Sequence, residues 1–253
     1  SMTGSLQQTI FGQGSIEKLT ILNPFDVVIQ GTQTINQDLN FNNGKLITNL
    51  SNVIIGASAT ITNASSTSYV VGNLQRDFTS TGVKDYPIGD ATQYAPVSLN
   101  VQVIVPGGGI IARTEPGVHP EIASSGIDPN KAVNRFWNLT NAGLNFQALV
   151  VTFNWDAADV DLNADFNNFI VKKYDAPDWI DFQVFNRTSL SITAGQLTSF
   201  SDFQIGEAAT PIPGAALSLD GVDDLVIVPD DDALDPTELT IECWVKPRTA
   251  DDY

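Results

Sequence analysis

Four oxygen-bearing side chains alternate in one short segment. Asp159, Asp161, Asn163 and Asp165 lie within Asp156-Ala-Ala-Asp-Val-Asp-Leu-Asn-Ala-Asp165. Ca²⁺ takes roughly six to eight oxygen ligands, and alternate short acids in a tight loop can supply several. Like charges this dense also repel one another unless neutralised. The spacing follows the first part of an EF-hand loop, but Ala164 stands where that loop needs Gly, and no Glu follows at its twelfth position. The segment is therefore a candidate Ca²⁺ loop of another kind, or an acidic solvated loop between two strands. Sugar binding is the second chemistry in view. A pyranose packs its C–H face on an aromatic ring, while acids and amides fix its hydroxyls. Trp155, Tyr174 and Trp179 each adjoin Asn or Asp, in Asn154-Trp155-Asp156, Tyr174-Asp175 and Asp178-Trp179. These three are the candidate glycan-binding residues, and Trp137 is expected in the core.

Catalytic constellations are weaker. His119 is the sole histidine, and no Gly-x-Ser-x-Gly elbow accompanies it. A triad needs that imidazole beside an activated Ser and oriented by a carboxylate, so a hydrogen-bonded loop histidine is expected. Glu238 and Glu242 are four apart and would share one face if that segment is a strand. Paired carboxylates about 5–10 Å apart hydrolyse glycosides, but the Glu-x-Asp-x-Glu strand of concanavalin A-like glucanases is absent. Cys243 alternates with Ile241 and Val245 and is expected to be a buried thiol. No catalytic residue is assigned.

The elements that must hold these residues are β-strands. Charged residues make up 16% of the 253, below the roughly 25% of an average soluble chain. Twelve Lys and Arg stand against 29 Asp and Glu, a net charge of −17. A nucleic-acid partner requires displacement of counterions by basic side chains, so that class is excluded. An anionic membrane surface would repel the chain, and no apolar run of 18 residues exists to span a bilayer. One Cys excludes an intrachain disulfide. Ser1-Met2-Thr3-Gly4-Ser5 reads as a cloning scar.

Residues 6–92 form an N-terminal β region with a weak repeat at a spacing of 26. Asp26-Val-Val-Ile-Gln-Gly-Thr-Gln-Thr-Ile35 resembles Asn52-Val-Ile-Ile-Gly-Ala-Ser-Ala-Thr-Ile61. Short apolar strands punctuated by Asn and Gly predict either stacked coils of a parallel β-helix or ordinary hairpins. From residue 93 the pattern changes. Val97–Val105 alternates with period two over its first seven residues, so one face is buried and the other wet. Further strands are predicted at 132–140, 146–155, 168–174, 179–185, 190–193 and 197–205, and no amphipathic helix of three turns is found. Residues 93–207 are expected to form an antiparallel β-sandwich. Ala208-Ala-Thr-Pro-Ile-Pro-Gly214 follows as a proline-stiffened linker.

Two resemblances bear on location. Gly117-Val-His-Pro-Glu-Ile122, Val133-Asn-Arg-Phe-Trp-Asn-Leu-Thr140, Asn168-Phe-Ile-Val-Lys-Lys-Tyr174 and Thr198-Ser-Phe-Ser-Asp-Phe-Gln-Ile-Gly-Glu207 resemble a module of large secreted Bacteroidota surface proteins. Residues 215–253, with Leu217-Ser-Leu-Asp-Gly-Val-Asp-Asp-Leu-Val-Ile-Val-Pro229 and Ile241-Glu-Cys-Trp-Val245, resemble the opening of a laminin-G or concanavalin A-like lectin domain. The resemblances imply an extracellular or cell-surface bacterial protein of several domains. Two or three lectin strands cannot bury their apolar faces alone, so 215–247 are expected to pair with another sheet, in this chain or a neighbour, or else to dangle with poor order.

The sequence thus predicts an all-β, non-catalytic module. It is a carbohydrate-binding or adhesive one, with Ca²⁺ as a possible aid and a glycan and the parent protein's other domains as partners. The alternatives are a spacer or stalk without ligand, and an accessory region of a polysaccharide-degrading enzyme.

Overall fold

In the computed structural model the described residues are 1–209 except 103 and 106, with 104 and 105 described by backbone alone. Glu238, Glu242, Cys243 and the expected pairing of 215–247 lie outside the described residues.

The first ten strands are β1 (Met2–Thr3), β2 (Gln8–Phe11), β3 (Gly14–Leu22), β4 (Val27–Gln30), β5 (Gln33–Asn43), β6 (Leu46–Ile55), β7 (Thr60–Thr62), β8 (Val70–Asp77), β9 (Gly82–Tyr86) and β10 (Ile88–Gly89). All but β9 stack in parallel. Gln8 lies beside Val27 and Val27 beside Leu46, a step of 19 residues. Leu46 then lies beside Val70 and Val70 beside Ile88. In-register stacking puts equivalent side chains over one another at about 4.8 Å, so each coil adds a rung to an interior ladder. Val27, Leu46, Val70 and Ile88 form one buried ladder. Ile16, Ile35 and Ile55 form a second, and Leu19, Leu39 and Ile61 a third. Met2 and Thr3 pair with Ile21 and Leu22, so the first residues belong to the sheet. The two segments alike at a spacing of 26 meet only out of that alignment, with Gln33-Thr34-Ile35 of the first beside Val53-Ile54-Ile55 of the second. Val27 rests on Leu46, whereas Val53 rests on Gln33, and the two valines serve different sides of the coil.

Tight corners make this stacking possible. Gly44 has φ +90°, and a Cβ there would lie 1.9 Å from the carbonyl oxygen of Asn23. Only glycine combines that backbone with that approach. Asn23 is fully buried at the same corner, where its Nδ2 donates to the Leu6 carbonyl at 2.8 Å and its Oδ1 accepts from Phe25 N–H at 3.0 Å.

The later strands are β11 (Val97–Val101), β12 (Ile104–Val105), β13 (Gly109–Pro116), β14 (Ile127–Ala142), β15 (Asn145–Phe146), β16 (Leu149–Asn154), β17 (Phe169–Asp175), β18 (Asp178–Thr188), β19 (Ser191–Leu197) and β20 (Asp202–Ala208). One antiparallel run is β8–β13–β14–β20–β17–β18. A second is β9–β11–β16–β19–β18. β18 serves both, pairing with β17 up to Phe182 and with β19 from Gln183. Strict alternation drives burial here, as in Val97, Leu99 and Val101 of β11. Trp137 of β14 and Phe203 of β20 each pack on Phe153 of β16, with ring centroids 5.0 and 5.3 Å apart.

The all-β expectation holds, and only three short 3-10 turns interrupt the strands of the described residues. A separate antiparallel sandwich does not describe this sheet. β8 pairs in parallel with β6 and antiparallel with β13, so the solenoid-like stack continues into the antiparallel strands as one mixed sheet. Ser1–Thr210 form one compact unit. Among the described residues no helix is long and apolar enough to cross a membrane.

Candidate functional site

The alternate acids are held by protein donors. Asp156 and Asp159 cap a 3-10 turn at Ala157–Asp159: Ala158 N–H donates to Asp156 Oδ1 at 2.9 Å, and Asp156 N–H to Asp159 Oδ2 at 3.3 Å. Asp159 also receives the buried Arg135, Nε to Oδ2 at 3.1 Å and Nη2 to Oδ1 at 3.2 Å. Asp161 accepts from Ala132 N–H at 3.0 Å and from Asn134 Nδ2 at 2.6 Å. Asn163 occupies the left-handed region at φ 69° in a turn closed by Ala164 N–H on the Asp161 carbonyl. Asp165 caps the next 3-10 turn through Asn167 N–H. A strand would have put these side chains on one face. Two 3-10 turns and a tight turn fan them out instead. No cluster of three His, Cys, Asp or Glu able to hold a metal occurs among the described residues.

Arg135 organises this edge. Its side chain is fully buried, and besides Asp159 it reaches Asp90 Oδ2 at 2.7 Å and the Thr114 hydroxyl at 3.2 Å. Burial pushes the guanidinium pKa down, but hydrogen bonds and charge from Asp159 and Asp90 outweigh it and raise the value. Burial likewise pushes the Asp90 carboxyl up. Donation by Thr92 and Gln93 N–H, the Thr92 hydroxyl and Arg135 overcomes this and holds the carboxyl at about 2.

The three candidate aromatics separate. Trp155 is 4% exposed, packs against Trp137 and Phe169, and donates its indole N–H to the Ser189 carbonyl at 3.1 Å. Its ring is part of the core and offers no face to a ligand. Tyr174 and Trp179 come together instead. They are cross-strand partners in the β17–β18 hairpin, with ring centroids 5.1 Å apart.

That pair ends a longer row. Registers place Arg113, Asn138, Asp202, Tyr174 and Trp179 side by side on β13, β14, β20, β17 and β18. Their neighbours Ala112, Trp137, Phe203 and Lys173 are buried, so alternation sends the row to the opposite face. Four interstrand steps span about 19 Å. Asn138 Nδ2 donates to Asp202 Oδ1. His119, on the loop between β13 and β14, lies over the row. Its Nε2 is 3.3 Å from Asp202 Oδ2, and its ring lies 4.9 Å from Tyr174, 5.0 Å from Trp179 and 5.1 Å from Phe136. Nδ1 accepts from Glu121 N–H at 3.1 Å, which assigns the proton to Nε2 and its donation to Asp202. Both ring nitrogens are engaged, and among the described residues no serine hydroxyl bonds to either. Trp179 Nε1 donates to the Glu121 carbonyl and the Ser124 hydroxyl, each at 3.2 Å, which pins the loop onto the row. The face therefore combines an aromatic pair with a cation, an amide and a carboxylate, groups suited to polyhydroxylated ligands.

Sequence reasoning finds Tyr174 and Trp179 but not Arg113, Asn138 or Asp202. The hairpin is local, with its turn marked by Pro177. The other three come from strands whose order is not written in the chain. No family model matches this protein, and no curated protein or solved structure matches it.

Proposed function

We propose that this chain is a non-catalytic glycan-binding or adhesive module of a secreted or cell-surface protein. In this reading the antiparallel strands serve as a sandwich-like platform. The observation that carries it is the Arg113–Asn138–Asp202–Tyr174–Trp179 row, which aligns hydrogen-bonding side chains with an aromatic pair on one half-exposed face. Sugar rings stack on Tyr174 and Trp179, and Asn138, Asp202 and Arg113 fix hydroxyls. Binding to a broad glycan array is expected, with loss of signal in Trp179→Ala and Tyr174→Ala variants that melt as the parent does. An array without signal, or a Trp179→Ala protein that binds as before, removes the proposal.

A second reading has its own support. The single sheet running through β8 suits a spacer that carries load between neighbouring domains. It predicts mechanical or thermal robustness without any ligand.

A further inference from the structure

A second polar surface lies apart from the face described above. A groove of about 380 Å³ opens where the parallel stack meets the antiparallel strands, on a different part of the fold. Asn63 follows β7 on its rim, Arg76 of β8 and Asp85 of β9 line it, and Tyr94, Ser98 and Asn154 complete the polar lining. Pro87 and Pro96 add flat apolar surface beside Tyr94, whose ring is held against Tyr69 at 5.2 Å.

Arg76 is the unusual member. Parallel register puts it directly after Ile55 in the Ile16–Ile35–Ile55 ladder. Its stem therefore continues an apolar column, and its guanidinium emerges where the column ends. Nη1 donates to the Asp85 carbonyl at 2.8 Å and Nη2 to the Ala59 carbonyl at 3.3 Å. Nε is buried and has no acceptor among the described residues. No carboxylate forms an ion pair with Arg76 among the described residues, whereas Arg135 takes Asp90 and Asp159, and Arg113 takes Glu115. The Asp85 carboxylate accepts from the Ser98 hydroxyl. Burial pulls the Arg76 pKa down further than the nearby Tyr86 and Asp85 lift it. Nη1 and Nη2 each carry a second N–H beyond the bonds to the Asp85 and Ala59 carbonyls, and a guanidinium matches a planar, two-oxygen anion best.

We propose that this groove binds a carboxylate-bearing sugar of an acidic oligosaccharide. Arg76 takes the carboxylate, Tyr94 with Pro87 and Pro96 takes the ring face, and Asn63, Ser98 and Asn154 take hydroxyls. One guanidinium lines the groove and no second cation does, while Asp85 adds a carboxylate whose Oδ1 accepts from the Ser98 hydroxyl. With Arg76 as the sole positive group, one carboxylate per sugar is the most that the lining can match, and a doubly charged phosphate or a highly sulfated chain exceeds it. The net charge of −17 repels long polyanions most, so a short acidic oligosaccharide is favoured over an extended one. The inference shares with the proposed function only the class of ligand, and its site is separate.

The test is calorimetric titration of the whole chain with a trigalacturonate and with its neutral galactose counterpart. The acidic sugar is expected to bind and the neutral one to bind at least about tenfold more weakly. Arg76→Gln should reduce acidic binding about tenfold or more, with Arg76→Lys in between. Asn63→Asp covers the case in which an Arg76 variant does not fold. Asn63 is exposed at φ 57°, a conformation Asp tolerates, and its one side-chain partner among the described residues, the Asn40 amide at 2.9 Å, can turn to donate to the new carboxylate, so the added charge should leave the fold intact and weaken the acidic ligand more than the neutral one. Trp179→Ala should leave trigalacturonate binding unchanged, which separates this site from the aromatic row. The proposal is overturned if trigalacturonate does not bind, if the neutral sugar binds equally, or if Trp179→Ala abolishes acidic binding while Asn63→Asp leaves it intact.

Discussion

Replacing Asp159 with Asn tests whether the acidic segment serves Arg135 or a cation. The Arg135 side chain is fully buried and makes two of its four side-chain hydrogen bonds to Asp159. Removing one partner of a buried ion pair costs about 3–5 kcal/mol, because the remaining charge is left uncompensated. Asp90 still faces Nη2 at 2.7 Å, so the lower end, about 3 kcal/mol, is expected. For a unit of this size that is a fall in Tm of about 6–12 °C. The assay is urea and thermal unfolding at pH 7, once in EDTA and once in millimolar Ca²⁺. The same loss is expected in both buffers, since the geometry makes Arg135 the partner. A loss below about 1 kcal/mol, or one that appears only with Ca²⁺ present, would refute the reasoning and return the segment to metal binding.

Three further outcomes follow from the same coordinates. The Asp90 carboxyl sits at about 2, below its ordinary 3.8. It therefore stabilises the fold above pH 3.8, and that contribution is lost as pH falls toward 2. The ceiling is about 2 kcal/mol, reduced by solvent screening at this partly exposed group, and urea midpoints from pH 5 to pH 2 should fall less steeply in Asp90→Asn. Trp155→Ala should cost about 3–5 kcal/mol by calorimetry, as loss of a core ring does; unchanged stability would place the ring at the surface. Gly44→Ala should destabilise by more than about 1 kcal/mol, since its φ of +90° and the Asn23 carbonyl leave no room for a Cβ, and an unchanged melt would contradict the corner geometry.

Much of the strand content is legible in the sequence because it is a local property. The period-two alternation of Val97–Val101 and the apolar run Leu149–Asn154 both emerge as strands. Apolar stretches bounded by turn residues, such as Val27–Gln30 between Asp26 and Gly31, do so as well. The Tyr174–Trp179 hairpin is legible for the same reason, its two strands being joined by a few residues around Pro177. Boundaries are less so. The stretch 197–205 divides between β19 and β20, and Gly109–Pro116 has too many small and polar residues to announce β13. Pairing is another matter. The coil step of 19 residues is set by which ladders fill the interior, and a chance likeness at 26 competes with it in the sequence. The alternate acids show the limit most clearly. Their spacing suits a cation, but Arg135 lies on β14 and enters the same space only when the segment folds back against that strand.

The amino-acid order by itself determined an all-β chain with an acidic surface, since composition and alternation are fixed before any long-range contact forms. Tertiary structure alone decided that parallel coils and antiparallel strands share one mixed sheet. It also decided that Trp155 is core, and that Arg113, Asn138 and Asp202 join Tyr174 and Trp179 in one row. The physical reason is register. A strand's faces are set by its own sequence, but its neighbours are chosen by packing across the whole sheet, and functional surfaces in such proteins are made of neighbours.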